Sequence, residues 1–314
     1  MTASKRKIGV SAALASALFL GMTPVFGKAA IMLGFSPLLV VAVRTVLAAL
    51  LLLIIVLLFN RQFLYIYPAG LLGCSLAGAI NGLGSLLYYL ALGRLSASVG
   101  QLLYSLYPVF LAIWLVFDHQ PPEKLTHLRI LLAVLGVSLV TRAHPHGLDW
   151  AGVALMLGAA ALYALHLPIN QRVLFDIPAP TVTLYTLLAM SAVVVPAYLI
   201  FDHRLPPAQA SWLPVLGLAL VTFFSRLTLF LGVKHLGGLQ TALLGLSELL
   251  VTLFVSMVWL HERLVVWQWV GAGLLALSMV LIGFERLRPE RGGRALSWLR
   301  PTAPPPTIPW GPRD

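Results

Sequence analysis

Apolar positions in this chain neither alternate with polar ones nor fall every three or four residues. They run nearly unbroken through long stretches, punctuated by short clusters of Gly, Pro, Arg and Asp. A helix needs about 20 mostly apolar residues to cross a hydrocarbon core of roughly 30 Å. Ten segments meet that requirement, at 8–27, 37–59, 68–92, 97–117, 125–141, 150–170, 180–201, 212–233, 238–260 and 267–284. The pattern therefore predicts an all-α membrane protein with ten transmembrane helices.

Composition changes the picture in one respect. A length of 314 residues ordinarily suggests two soluble domains. Here 60% of residues are hydrophobic and mean hydropathy is +0.93, while 10% are charged. Typical soluble proteins carry about 25% charged residues, so lipid must be the surrounding medium. The net charge of +11 does not indicate nucleic acid, because Lys and Arg sit at the edges of apolar runs and in the C-terminal segment. The single cysteine, Cys74, lies in an apolar run and has no intrachain partner to oxidise with.

Counting cations in the short loops gives orientation. With an inside N-terminus, fourteen of the 21 Lys and Arg fall on the cytoplasmic side, five on the other, and Arg44 and Arg226 lie within spans. Both termini are expected in the cytoplasm. Residues 1–7 form a basic N-terminus (Lys5, Arg6, Lys7) ahead of an apolar run longer than a signal-peptide core of about 7 to 15 residues, so the first helix is expected to be retained. Residues 287–314, rich in Pro and Arg, are expected to be a disordered basic cytoplasmic tail.

The chain also repeats itself. A shift of 141 residues aligns Val41-Ala-Val-Arg-Thr-Val-Leu-Ala with Val182-Thr-Leu-Tyr-Thr-Leu-Leu-Ala and Leu95 with Leu236, and a two-residue adjustment aligns Glu123-Lys-Leu with Glu262-Arg-Leu. Two five-helix repeats, 8–141 and 150–286, follow. Because five is odd, the second enters the bilayer from the opposite side, giving inverted repeats around a central cavity near the midplane.

An ionised group at the bilayer centre costs several kcal/mol, with estimates from about 2.5 upward, so it usually faces a cavity or a partner. Glu248 lies ten residues into the ninth span, about 15 Å deep at 1.5 Å per residue, and the other nine acids lie in loops, at span ends or in the tail. Arg226 lies about 12 Å deep in the eighth span. A tight turn joins these two spans, which puts Arg226 within reach of Glu248. The carboxylate then either binds a cationic group or proton and changes partners, or forms a static ion pair. Arg44, about 10 Å inside the opposite face, suits a bidentate carboxylate or phosphate, the carbonyls freed near Pro24, or an outward reach of its head group. Its repeat mate is Tyr185.

Asn81 is suited to lining the cavity or to bridging two helices. His166, two residues before Pro168, is either packed against a freed carbonyl or a proton relay. Tyr88, Tyr104, Tyr107, Tyr163 and Tyr185 offer rings to an amphipathic solute, or packing alone. Gly78 and Gly82 give a small face for close helix contact.

Enzyme constellations are missing from the sequence. His261-Glu262 has no second histidine, since 265 is Val265; Gly245-Leu-Ser247-Glu248 is not a nucleophile elbow. No paired intramembrane acids, phosphate loop or zinc spacing is present, and His144-Pro-His146 reads as a solvent-facing pair. No cofactor or metal is expected.

Several stretches resemble the EamA type of the drug/metabolite transporter superfamily over 8–286. They are Gly21 through Lys28, Arg44, Tyr107-Pro-Val-Phe, Ala161-Leu-Tyr through Arg172, and Ser247-Glu-Leu-Leu through Trp259-Leu-His-Glu-Arg-Leu with the Gly271 run. The resemblance implies a secondary active transporter in the bacterial inner membrane, exporting or exchanging a small organic metabolite, amino acid or drug-like solute by alternating access. The expected partners are that small-molecule solute, a proton coupled through Glu248 and the lipid bilayer that the composition requires. The two competing readings are an intramembrane lipid-modifying enzyme and a non-transporting scaffold.

Overall fold

A computed structural model describes residues 3–117, 124–142, 149–236, 241 and 247–281. These form eleven α-helices and one 3₁₀ turn: α1 (Ala3–Met32), α2 (Pro37–Phe59), the turn Arg61–Leu64, α3 (Pro68–Arg94), α4 (Ala97–Tyr104), α5 (Tyr107–Phe117), α6 (Lys124–Arg142), α7 (Trp150–Asp176), α8 (Ala179–Phe201), α9 (Leu213–Leu236), α10 (Ser247–Trp259) and α11 (Val266–Val280). The tail, the His144 and His146 pair, the junction after Phe117 and the turn after Leu236 lie outside the described residues.

Six helices are long and apolar enough to cross a membrane: α1 from Lys7, α2, α3, α7, α8 and α9. The stretch Ala97–Leu111, α10 and the Val266–Ser278 part of α11 are shorter apolar helices. Side-chain placement follows the solvent. Large apolar residues such as Phe59, Phe201, Leu250 and Phe254 are exposed at 68–78%, where acyl chains would meet them, while Arg44, Arg226, Glu248, Asn81 and His166 are buried. The protein is a multi-pass membrane protein.

The packing of helices is the same when the two halves are exchanged. α1 packs on α9 as α7 packs on α3; α2 packs on α9 as α8 packs on α3; α2 meets α8 and α6 meets α11. Close approach depends on glycine where these helices cross. A Cβ at Gly78 would lie 2.6 Å from Thr186 O, and one at Gly21 would lie 2.6 Å from Glu248 O.

Several boundaries differ from the sequence reading, α7 running to Asp176 and not to 170, and two of the differences have a clear cause. The first helix continues past Lys28 to Met32, because the half-buried ammonium donates to Leu92 O at 2.9 Å and Leu95 O at 2.7 Å at the end of α3 instead of marking a loop. It ends at Gly34, whose φ of 93° permits Phe35 N→Ala30 O and Gly34 N→Ile31 O, a Schellman closure. The fourth span is two helices, α4 and α5, broken at Ser105 and Leu106. Pro108 has no N–H to offer Tyr104 O; just ahead of it Leu106 N bonds Leu103 O at 3.2 Å, and Ser105 Oγ takes Leu102 O at 2.8 Å.

Candidate functional site

Seven helices converge on a central cavity of about 40 Å³, room for a few waters. Its wall comprises Leu20 and Thr23 of α1, Arg44 of α2, Asn81, Gly84, Ser85, Tyr88 and Tyr89 of α3, Tyr104 of α4, Ala159 and Tyr163 of α7, Ser225 and Arg226 of α9, and Glu248 of α10. Seven of the expected site residues meet here: Arg44, Asn81, Tyr88, Tyr104, Tyr163, Arg226 and Glu248.

Their pairing differs from the one that depth along the helices suggested. No ion pair within 4.0 Å joins Arg226 to Glu248 among the described residues. Glu248 Oε1 accepts from Gln101 Nε2 of α4 at 2.7 Å. Arg226 instead faces Asn81, whose amide oxygen, turned toward the cation, accepts from both Nη1 and Nη2 at 3.2 Å. The guanidinium carbon also lies 5.8 Å from the Tyr163 ring centroid. Depth fixes a residue's level, and the helix's rotation fixes what it faces.

Arg44 is 4% exposed. Its Nη1 donates to Thr222 Oγ1 at 3.3 Å and its Nη2 to Ser85 Oγ at 3.2 Å, while its guanidinium sits 4.7 Å from the Tyr89 ring centroid. Among the described residues, Arg44 Nε and the Tyr89 hydroxyl have no hydrogen-bond partner. Capping near Pro24 is not its role here.

A second, smaller cavity of about 20 Å³ shares Leu20, Tyr163 and Glu248 with the first and adds Ala13, Ser16, Tyr107, Leu167, Leu229, Val233 and Thr241. Tyrosines link the two. Tyr88 meets Tyr104 edge-on at 4.9 Å, Tyr104 lies 5.3 Å from Tyr163, and Tyr163 meets Tyr107 edge-on at 5.0 Å.

The remaining two expected residues stand elsewhere. His166 is fully buried behind Tyr163, its Nδ1 at 2.6 Å from Tyr163 O, and lines neither cavity. Since the carbonyl only accepts, Nδ1 carries the proton. Tyr185 donates to Leu64 O at 2.7 Å and anchors the 3₁₀ turn to α8.

Residues 7–142 and 150–284 each match the family described as the EamA-like transporter family. The chain belongs to the EamA-like transporter family. A crystal structure described only as that of a protein has 18% sequence identity, covers 90% of this chain and 98% of its own, and superposes with a TM-score of 0.63, which supports the shared fold. No curated protein matches the chain. EamA membership makes this a membrane transporter of the drug/metabolite superfamily, working on a small-molecule solute in a lipid environment.

Sequence reasoning missed Gln101, Tyr89, Ser85 and Thr222, and the two EamA repeats account for the last two. At a separation of 141 residues, Asn81 corresponds to Thr222, Ser85 to Arg226 and Tyr107 to Glu248. Exchanging the repeats turns the Asn81–Arg226 pair into Thr222–Ser85. Arg44 bonds both members of that second pair. Each half of the cavity thus holds one guanidinium, supplied in line by α9 in one case and from α2 in the other. The repeat offset was the available signal for Ser85 and Thr222; nothing in the sequence singled out Gln101 or Tyr89.

Proposed function

We propose that this protein is a secondary active carrier, an exporter or exchanger, whose solute is a small zwitterion with an aromatic or apolar body, such as an amino acid or a drug-like amine acid. The observation that carries this reading is the chemistry of the central cavity. It holds two guanidiniums and one carboxylate within tyrosine walls, and Arg44 Nε and the Tyr89 hydroxyl are unpartnered. An anionic group fits the Arg44 side, where charge-assisted donors are free. A cationic group or a proton fits Glu248, held by a neutral amide. The rings suit an apolar body, and stacking with a bound cation adds to it.

The architecture that serves this function is ten spans in two inverted halves, 8–141 and 150–286, with both termini in the cytoplasm of a bacterial inner membrane. The symmetric helix packing and the two EamA matches support it. Rocking of the halves exposes the cavity to each side in turn, and an ion or solute gradient, with Glu248 as proton carrier, supplies the free energy.

Thermal denaturation of the purified protein with phenylalanine, phenethylamine and phenylacetate tests the solute class, because a ligand stabilises the state it binds. Phenylalanine is expected to raise Tm more than either single-charge probe, and Arg44→Leu to remove the gain from phenylalanine and phenylacetate. Equal shifts from all three, or none, count against the reading.

A further inference from the structure

Helix α4 is eight residues long and enclosed on every side. All residues from Ala97 to Leu103 are buried, with α1, α3, α6, α7 and α10 packed around them. Its last residue, Tyr104, lines the central cavity, so the helix fills the space between that cavity and the face where α3 ends. The second cavity lies on the other side of Glu248, reaching Ala13 near the start of α1 and Val233 near the end of α9. Cavities therefore lie at the centre and toward one face, and α4 fills the space toward the other.

What fixes α4 comes from the other repeat. The chain leaves α10 at Trp259 and reverses through His261, whose φ of 54° is left-handed. This aims Glu262 back across the repeat boundary. Glu262 Oε1 accepts from Ala97 N at 2.7 Å, and Oε2 accepts from Ser98 N at 2.9 Å and from Ser98 Oγ at 2.6 Å. The Ser98 and Ser256 hydroxyls lie 2.7 Å apart. Lys28 meanwhile holds the carbonyls of Leu92 and Leu95, just ahead of the same turn.

The first N–H groups of a helix have no partner within it, and an anion there is favoured by both charge-assisted bonding and the helix dipole. α4 already has a local cap, since Ser96 Oγ accepts from Val99 N at 3.3 Å. The distant carboxylate is thus additional to what the helix needs to start. The far end of the same α10 reaches α4 as well, through the Gln101–Glu248 bond.

We propose that α4 is the gate of the central cavity on this face and that Glu262 is its bolt. Breaking the three hydrogen bonds frees α4 and opens the cavity to water on the Glu262 side. This rests on the transporter reading, but its test requires no solute.

The experiment uses full-length protein in right-side-out and inverted vesicles. Cys74, the single cysteine, is replaced by Ala, and Thr23 in the cavity wall by Cys as reporter for a membrane-impermeant maleimide. Glu262→Ala is expected to raise the labelling rate from the Glu262 face by about tenfold or more, the worth of a charge-assisted bond, and to leave the opposite face unchanged. Glu262→Gln, which keeps length and one acceptor, gives an intermediate rate. Arg94→Ala, which breaks an exposed ion pair on the same face, changes nothing. An unchanged rate in Glu262→Ala overturns the proposal. An equal rise from both faces also overturns it, because the carboxylate then serves only to hold the fold. A parent protein that moves no solute yet shows the Glu262-dependent rate sinks the carrier reading alone and still supports the gate.

Discussion

Tyr107 and Glu248 occupy the same position in the two repeats, 141 residues apart, and both line the smaller cavity. One is a neutral phenol and the other a carboxylate, so the two halves, alike in packing, are unlike in charge at their centre. A carrier built from two equivalent halves would have end states of similar energy. Under the proposed mechanism this difference is expected to make them respond differently to a proton or cation, with Glu248 as the responding residue.

Glu248→Gln tests that assignment. The amide keeps the size of the side chain and can still accept from Gln101 Nε2, which stands 2.7 Å from Oε1 in the parent. The variant is expected to fold, with Tm at or above that of the parent, since a buried charge is removed. In proteoliposomes, counterflow of a solute that raises Tm is expected to lose its dependence on pH. Retention of the parent's pH profile would remove Glu248 from the coupling step.

Asn81→Leu leaves the Arg226 guanidinium without the amide oxygen that meets both terminal nitrogens at 3.2 Å. A buried cation stripped of a partner costs about 1–3 kcal/mol or more. Tm is expected to fall accordingly, and Asn81→Asp, which restores an acceptor with charge, to recover at least the parent value. A fall in Asn81→Asp equal to that in Asn81→Leu would mean that shape, and not the acceptor, is what Arg226 needs.

Much of the fold was legible because lipid imposes a coarse rule, a long apolar run for each crossing. It read α2, α3, α8 and α9 to within three residues and ended α7 six residues early. It misread Lys28 as a loop cation, because a half-buried ammonium can be satisfied by the carbonyls of another helix, which hydropathy does not register. It also joined α4 to α5, since the residues around the break are as apolar as those of a continuous span. For the site, depth placed Arg226 and Glu248 at nearly one level. It could not rotate the helices, and so paired Arg226 with Glu248 and left Gln101 unseen. Tyr185 shows the same limit: it aligns with Arg44 along the chain, yet its hydroxyl reaches Leu64 O.

Gly21→Val probes the contact on which the Glu248 backbone depends. A Cβ at Gly21 would stand 2.6 Å from Glu248 O and 2.7 Å from Val251 Cβ, and Gly21 O accepts from Thr252 Oγ1 at 2.7 Å. Backbone cannot yield as a flexible side chain would. The substitution is expected to cost about 1–3 kcal/mol through overpacking, with Gly21→Ala already lowering Tm. Gly273→Ala, where an added Cβ meets nothing within 4 Å among the described residues, is expected to leave it unchanged. Equal Tm values for the two alanine variants would contradict this account of α1 packing on α10.

Asp149 gives a pH dependence of known sign at the start of α7, outside the spanning segments. Its Oδ1 accepts from Gly152 N at 3.0 Å and its Oδ2 from Arg94 Nη1 at 3.0 Å. The Gly152 N–H, and after it the Arg94 guanidinium, hold the carboxyl below its ordinary range. A carboxyl more acidic in the folded than in the unfolded chain contributes stability above its unfolded value, about 3.9. It loses that contribution as pH falls through the folded value. Asp149→Asn is therefore expected to melt below the parent near pH 7, with the gap narrowing as pH falls below about 4. Arg94→Ala is expected to do less, because the exposed ion pair is screened. Melting curves across this range decide the matter: a gap independent of pH would mean that the cap acts through its hydrogen-bond geometry and not its charge.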